Sequence, residues 1–110
     1  MTTVRDIQGA VAQRFAVTVL DLTSARRGRG IVRPRQIAMW MARHMTGHSI
    51  PEIGRYFGNR DHSTVMHSID RVDALMAKDR AFAAVVWALL ESVDCEESVE
   101  IRRTFMRLVA

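Results

Sequence analysis

The segment 49–76 constrains the fold most, because two apolar repeats of helical spacing follow each other across a glycine-containing turn. It reads SIPEIGRYFGNRDHSTVMHSIDRVDALM. Ser49 and Glu52 have the spacing of a capping box, so a short helix is predicted to begin there and to end at Gly58. Asp61 is predicted to cap a longer helix. The inward stripe of that helix is predicted to be Val65, Ile69, Val72 and Met76. A short helix, a tight turn and a longer helix form a helix-turn-helix.

The same periodicity extends through the rest of the chain. Helices are predicted over residues 3–17, with Thr3 and Asp6 as a capping pair, and over residues 34–46, 80–93 and 96–108, with a short turn of helix at 18–22. The second of these is predicted to begin at Pro34, where a helix start tolerates proline. The segment SARRGRGIVR before it is predicted to be a basic loop. At 110 residues the chain has the length of one domain. We therefore predict an all-α, compact domain of about six helices.

The charge is distributed unevenly along the chain. Residues 1–72 carry a balance of +6 and residues 73–110 a balance of −2, within a formal net charge of +4. Fifteen of the sixteen basic residues are arginine, and no acidic residue lies between Asp21 and Glu52. The planar guanidinium suits phosphates and guanine edges. This one-sided clustering predicts a polyanionic partner.

Composition and spacing argue against catalysis, metal binding and export. The one cysteine, Cys95, excludes an internal disulfide, and the amino terminus resembles neither a signal peptide nor a membrane span, so a reducing cytoplasm and no membrane are expected. Successive residues on a helix point about 100° apart, so Asp61, His62 and Ser63 cannot relay a proton among themselves. His62 and His67 are five residues apart, which is not a ligand spacing, and no phosphate-loop motif occurs. No enzyme activity, metal or cofactor is predicted.

The polar residues that open the longer helix suit the major groove of DNA. The first turn of the second helix is the part of a helix-turn-helix that faces base edges. Asp61 can accept from a cytosine amino group, and Thr64 offers a hydroxyl and a methyl group. His62 and Ser63 can bond bases or phosphates, and Arg60 can reach guanine or phosphate. These five residues are the predicted major-groove contacts.

The segment RPRQIAMWMARHMTGHSIPEIGRYFGNRDHSTVMHSIDRV resembles the C-terminal DNA-binding domain (domain IV) of the bacterial replication initiator DnaA. The hallmark of that family is a run ending in GxRDHST. RRGRG, RPRQ, SIPEIG and RDHST occur here in the expected order, and the resemblance extends from Ile7 to about Val93, more weakly after Val72. Residues 1–93 are therefore predicted to form a domain of this type, and residues 94–110 a C-terminal helical extension.

The resemblance implies particular roles for several residues. Arg27 would enter the minor groove, and residues 60–64 would read the major groove. Arg35 and Gln36 would open the preceding helix and contact DNA. The full set implied to lie at or near the DNA backbone is Arg26, Arg29, Arg35, Gln36, Arg43, Ile50 and Pro51. Asn59 replaces the second glycine that usually precedes RDH, and since asparagine tolerates a left-handed backbone, the turn should survive.

Two functions remain open from the sequence. The first is sequence-specific binding of double-stranded DNA at DnaA-box-like sites, linked to the regulation of chromosomal replication initiation, either by a stand-alone regulator of replication or transcription or by an excised piece of a larger initiator. A monomer in the bacterial cytoplasm and nucleoid is expected. No ATPase activity is expected, because the chain begins at its own Met1 and contains no ATPase domain. The alternative is an adaptor that binds the initiator or its regulatory ATPase, with weak or no DNA binding. Trp40 and the apolar, acidic last third of the chain keep this alternative open.

Overall fold

The computed structural model describes residues 2–25 and 27–109, without the side chains of Arg29, Cys95 and Val109. Within these ranges the chain forms seven helices and no strand, which confirms the all-α prediction. The helices are α1 (Val4–Phe15), α2 (Val19–Thr23), α3 (Arg29–Met45), α4 (Ile50–Tyr56), α5 (His62–Lys78), α6 (Arg80–Val93) and α7 (Cys95–Val109). The prediction of about six helices is confirmed, and the short turn of helix predicted at 18–22 is the five-residue α2.

Local capping explains where three of these helices begin. The predicted boxes of Thr3 with Asp6 and of Ser49 with Glu52 are confirmed, and each closes two hydrogen bonds at the start of α1 or α4. A third box, Thr18 with Asp21, starts α2 and was not predicted. Each box satisfies backbone N–H groups that a helix start otherwise leaves without partners.

The start of α3 differs from the prediction. The helix begins at Arg29, not at Pro34, and Pro34 lies in its second turn. Proline removes one helical hydrogen bond, the one that would reach the carbonyl of Gly30. Gly30 is exposed, so water can reach that carbonyl, while Pro34 itself is buried. The predicted basic loop is correspondingly shorter, and its second half is helical.

Helix α3 forms the centre of the molecule. Six consecutive residues, Ile37, Ala38, Met39, Trp40, Met41 and Ala42, are each no more than 1% exposed. A helix that is buried on all sides must be surrounded by others, and α3 contacts α1, α2, α4 and α5. Trp40 is fully buried, and its indole nitrogen donates to Asp73 Oδ1 at 2.7 Å. Trp40 is therefore a core residue, so it offers no exposed surface in support of the adaptor alternative.

The C-terminal helix packs on α6 through aromatic contacts. The ring of Phe105 lies 5.4 Å from that of Trp87 and 6.4 Å from that of Trp40, both edge to face. The end of the chain thus joins the same hydrophobic core as α3. The division of the chain at residues 93 and 94 stays a prediction. None of the described helices has both the length and the apolar character needed to cross a bilayer.

Candidate nucleic-acid interface

The turn between α4 and α5 is closed by unusually close backbone packing at Gly54. The carbonyl oxygen of Gly54 accepts the N–H groups of Phe57 at 3.2 Å and Arg60 at 2.9 Å. A Cβ on Gly54 would lie 2.3 Å from the carbonyl oxygen of Arg60. Gly58 and Asn59 both have positive φ, at 84° and 59°, so Asn59 adopts the left-handed backbone expected of it. The turn therefore fixes where α5 begins relative to α4.

The recognition tip, which we define as residues 61–64, is exposed throughout. Asp61 occupies the predicted N-cap position, but its side chain forms no capping hydrogen bond of ordinary geometry, so the predicted side-chain cap is not made. Its carboxylate instead accepts from the hydroxyl of Ser63 at 3.0 Å and lies 3.2 Å from His62 Nδ1. The Ser63 hydroxyl lowers the pKa of Asp61, and His62 lowers it further. The nearby backbone N–H groups of Ser63 and His62 contribute only weakly to this lowered pKa. The start of α5 thus presents its N–H groups and polar side chains together.

A shallow groove continues from the tip between α3 and α5. Arg33 and Gln36 of α3 line it opposite Thr64, His67 and Arg71 of α5. The guanidinium of Arg33 donates to the side-chain oxygen of Gln36 at 2.7 Å. His67 and Arg71 were not predicted as site residues, although they follow Thr64 at the three- and seven-residue spacings that share one helix face. The candidate interface is thus larger than the predicted one.

A second group of predicted residues surrounds the junction of α3 and α4. Arg43 is exposed and donates to the carbonyl oxygen of His48 at 3.4 Å. Pro51 is exposed and Ile50 is half-buried in the first turn of α4. The predicted DNA contacts of these residues remain predictions.

The arm that precedes α3, which we define by its described residues 25, 27 and 28, carries Arg27. Arg27 is exposed. Burial lowers the pKa of the Arg60 guanidinium, and the positive charge of Arg27 lowers it further. Arg26 and the side chain of Arg29, which were predicted near the DNA backbone, lie outside the described part of the chain.

Arg35 has a different position from the predicted one. It lies in the second turn of α3, is 5% exposed, and does not open that helix. Its guanidinium donates to three carbonyl oxygens at the end of α2, those of Asp21 (2.8 Å), Leu22 (3.0 Å) and Ser24 (3.2 Å). Burial lowers the pKa of Arg35, the charge of Arg60 lowers it further and Asp21 raises it. This guanidinium faces the interior, so the predicted place of Arg35 at the opening of α3 is wrong, while its contact with DNA stays a prediction. Gln36, beside it, remains partly exposed on the groove.

Arg60 is half-buried and connects the tip to the carbonyl of Ser24, one of the three that Arg35 contacts. Its terminal nitrogen donates to the carbonyl oxygen of Ser24, which Arg35 also contacts. Its Nε is buried and has no hydrogen-bond partner in the described part of the chain. Arg60 therefore binds the protein with one part of its fork, and its predicted contact with DNA stays a prediction.

Nothing in the described ranges resembles a metal centre. No group of three or more histidine, cysteine, aspartate or glutamate side chains there is arranged to hold an ion.

A short helix, a tight turn and a longer helix with an exposed polar tip define this molecule as a helix-turn-helix protein. Residues 4–72 match the family described as "Bacterial dnaA protein helix-turn-helix", and the chain belongs to that family. The resemblance noted from the sequence is therefore confirmed.

Similar proteins include chromosomal replication initiator proteins DnaA of several bacteria. The protein from Gluconobacter oxydans (strain 621H) is 51% identical over 81 residues, which cover 74% of this chain and 17% of the relative. The protein from Caulobacter vibrioides (strain NA1000 / CB15N) is 49% identical over 81 residues, covering 74% and 16%. The protein from Rhodopseudomonas palustris (strain BisA53) is 46% identical over 86 residues, covering 78% and 18%. The aligned part of this chain thus corresponds to roughly one sixth of each relative.

Proposed function

We propose that this protein binds double-stranded DNA sequence-specifically at DnaA-box-like sites, that it acts as a monomer in the regulation of chromosomal replication initiation, and that it has no ATPase activity. The observation that carries the proposal is the recognition tip, whose four polar side chains are exposed at the start of α5 in a helix-turn-helix of the DnaA family. Relatives that share about half of the aligned residues are named as chromosomal replication initiators.

The chemistry of the tip supports reading of the major groove. Asp61 is held as an ionised acceptor by Ser63 and His62, and a carboxylate accepts from the amino group of cytosine. Thr64 can contact the methyl group of thymine, and it lies beside Arg33 and Arg71 in the groove. These arginines are placed to neutralise phosphates on either side of the bases that the tip reads.

The position of Arg27 supports a second contact in the minor groove. An exposed arginine on a short arm can enter a narrow minor groove, where the negative potential is strongest. The tip and the arm would then read two faces of one duplex.

Fluorescence anisotropy with duplexes that contain or lack a DnaA box, across a range of salt concentrations, tests this function. The affinity should be higher for the box and should fall steeply with salt, because several phosphate contacts release counterions. Arg27→Ala should weaken binding by about 1–3 kcal/mol. Arg103→Ala is the matched control, since Arg103 is an exposed arginine of α7, and it should change nothing. Equal affinity of the parent for both duplexes would contradict the proposal.

Asp61→Ala separates base reading from phosphate attraction in the same assay. Because the Asp61 side chain makes no capping hydrogen bond and its partners Ser63 and His62 are exposed, the variant should stay folded with only a small loss of stability. It should lose discrimination, at about 1–3 kcal/mol, against an altered base pair. If its preference among box sequences equals that of the parent, the tip does not read bases.

An adaptor function is the second candidate, and the surface of α7 favours it. Val99, Met106 and Leu108 are 51%, 53% and 81% exposed. Val99 and Met106 are seven residues apart and so share one face of α7, whereas Leu108 lies on the opposite face. Exposed apolar side chains that lie together are typical of protein interaction sites. Binding of an initiator DnaA protein or its regulatory ATPase in a pulldown, lost in Met106→Glu, together with absent box binding in the anisotropy assay, would favour this function over the first.

A further inference from the structure

We propose that Arg35 is a positioning residue that, together with Arg60, sets the distance between the arm and the recognition tip so that both grooves of one duplex are read together. This inference rests on the proposed DNA binding and assigns Arg35 a role other than direct contact with DNA.

One guanidinium group from α3 and one from the turn before α5 donate to the same carbonyl oxygen. The carbonyl oxygen of Ser24 accepts hydrogen bonds from Arg35 of α3 and from Arg60, the residue immediately before the tip. Arg35 also holds the carbonyls of Asp21 and Leu22. The last carbonyls of a helix have no partners within it. The two arginines supply those partners for α2 and tie its end to the recognition segment.

Close backbone packing reinforces the same connection. A Cβ on Gly58 would lie 2.1 Å from the carbonyl oxygen of Thr23, so the end of α2 contacts the turn directly. Leu22, the residue before Thr23, is fully buried. The segment that leads into the arm is thus fixed against the turn by packing on one side and by guanidinium groups on the other.

The arm is short, and Ser24, at its amino-terminal side, is bound by the two guanidinium groups. Only residues 25–27 separate Ser24 from Gly28, which is the N-cap of α3. The position of Ser24, three residues before Arg27, is therefore set by Arg35 and Arg60. Arg60 is also the residue directly before Asp61, so the same hydrogen bonds connect the arm to the tip. If the hydrogen bonds at Ser24 are lost, the arm and the tip no longer keep a defined spacing. Arg27 should then lose its contact with the minor groove, while the tip keeps its contact with the major groove.

The planar fork of arginine is needed for this role. Arg35 presents one Nε donor and one terminal nitrogen to three carbonyls at 2.8–3.2 Å. Lysine carries the same charge on a single compact ammonium group and cannot reproduce that geometry. Arg35→Lys should therefore resemble Arg35→Met in its effect on DNA, which a purely electrostatic role would not produce.

A double-mutant cycle between Arg27 and Arg35 tests the proposal by anisotropy on a box duplex. In the parent, Arg27→Ala should weaken binding by about tenfold. In Arg35→Met or Arg35→Lys, each already about tenfold weaker, the further change Arg27→Ala should weaken it by less than about twofold. Arg103→Met, the matched loss of one exposed arginine, should leave the full effect of Arg27→Ala intact. A full tenfold effect of Arg27→Ala in folded Arg35 variants would overturn the proposal.

A second variant decides the matter if the Arg35 variants do not fold. Two glycines inserted between Ser24 and Ala25 leave the carbonyl of Ser24 in reach of both guanidinium groups but release the arm from its anchor. This variant should keep the Tm of the parent and lose the contribution of Arg27. An unchanged contribution of Arg27 in the inserted variant would overturn the positioning role, whereas failure of the parent itself to prefer the box would overturn the proposed function.

Discussion

Alanine substitutions at two helical glycines should have opposite effects on stability, because the space around the two glycines differs. Gly54 is buried in α4, and a Cβ there would meet the carbonyl oxygen of Arg60 at 2.3 Å. Gly9 lies on the exposed side of α1, and a Cβ there would meet nothing within 4 Å. Gly9→Ala is therefore a matched control for Gly54→Ala.

The magnitudes follow from helix propensity and steric overlap. Alanine favours a helix interior over glycine by up to about 1 kcal/mol, and Gly9→Ala should gain most of it. At Gly54 the Arg60 carbonyl would have to retreat by about 1 Å to reach an ordinary contact of 3.4 Å. The hydrogen bond from the Arg60 N–H to Gly54 resists that shift. Overpacking typically costs about 1–3 kcal/mol. A cost of about 3 kcal/mol, less the gain of about 1 kcal/mol in helix propensity, makes Gly54→Ala destabilising by about 2 kcal/mol.

Urea and thermal unfolding measure both variants. For a domain of this size 1 kcal/mol corresponds to a shift in Tm of about 4 °C, so Gly54→Ala should lower Tm by about 8 °C and Gly9→Ala should raise it by about 4 °C. Below its transition, Gly54→Ala should also bind a DnaA box more weakly than the parent, because the displaced Arg60 carries the tip with it. A Gly54→Ala protein as stable as Gly9→Ala would refute the reasoning, since the Arg60 carbonyl would then move freely.

Two further predictions concern pH and the core. Glu52 accepts from the backbone and side chain of Ser49 and from His48, which lowers its pKa from 4.5 to about 2. The stabilisation is thus present above about pH 4.5 and lost as the pH falls to about 2, so the parent should lose unfolding free energy faster than Glu52→Gln over this interval; parallel curves would contradict the assignment. Trp40→Phe removes the 2.7 Å bond to Asp73 and leaves space in a fully buried site, so urea unfolding should show a loss of about 2–3 kcal/mol, and a loss below about 1 kcal/mol would exclude that role.

The helices themselves were largely predictable, because their signals are local. The bounds of α6 agree with the predicted residues 80–93, and the inward stripe predicted for α5, from Val65 to Met76, is buried. A capping box involves residues only three positions apart, so Ser49 and Glu52 predict the start of α4 from the sequence. The start of α3 differs from the prediction because glycine and proline act as helix breakers in a local pattern, whereas burial of Pro34 against the rest of the fold overrides that signal.

The exposed residues of the recognition tip could be predicted from the sequence, whereas the residues that pack behind and beside the tip could not. Residues 61–64 are exposed where the helix-turn-helix pattern predicts exposed residues. An arginine in a basic segment looks the same in sequence whether its guanidinium faces solvent or carbonyls, so neither the pattern nor the resemblance reveals that Arg35 binds the end of α2. The sequence does not predict His67 and Arg71 as site residues, because only the packing of α3 against α5 brings them beside Arg33.

The helices, the turn and the polar residues that open α5 follow from local sequence signals, because periodicity, caps and glycine conformation act among residues close in the chain. Which arginines face outward depends instead on how the helices pack. The carbonyls that Arg35 binds lie 11–14 residues away in sequence, and the one that Arg60 binds lies 36 residues away. A side chain's partners across the fold depend on how the helices pack, and no local pattern encodes that arrangement.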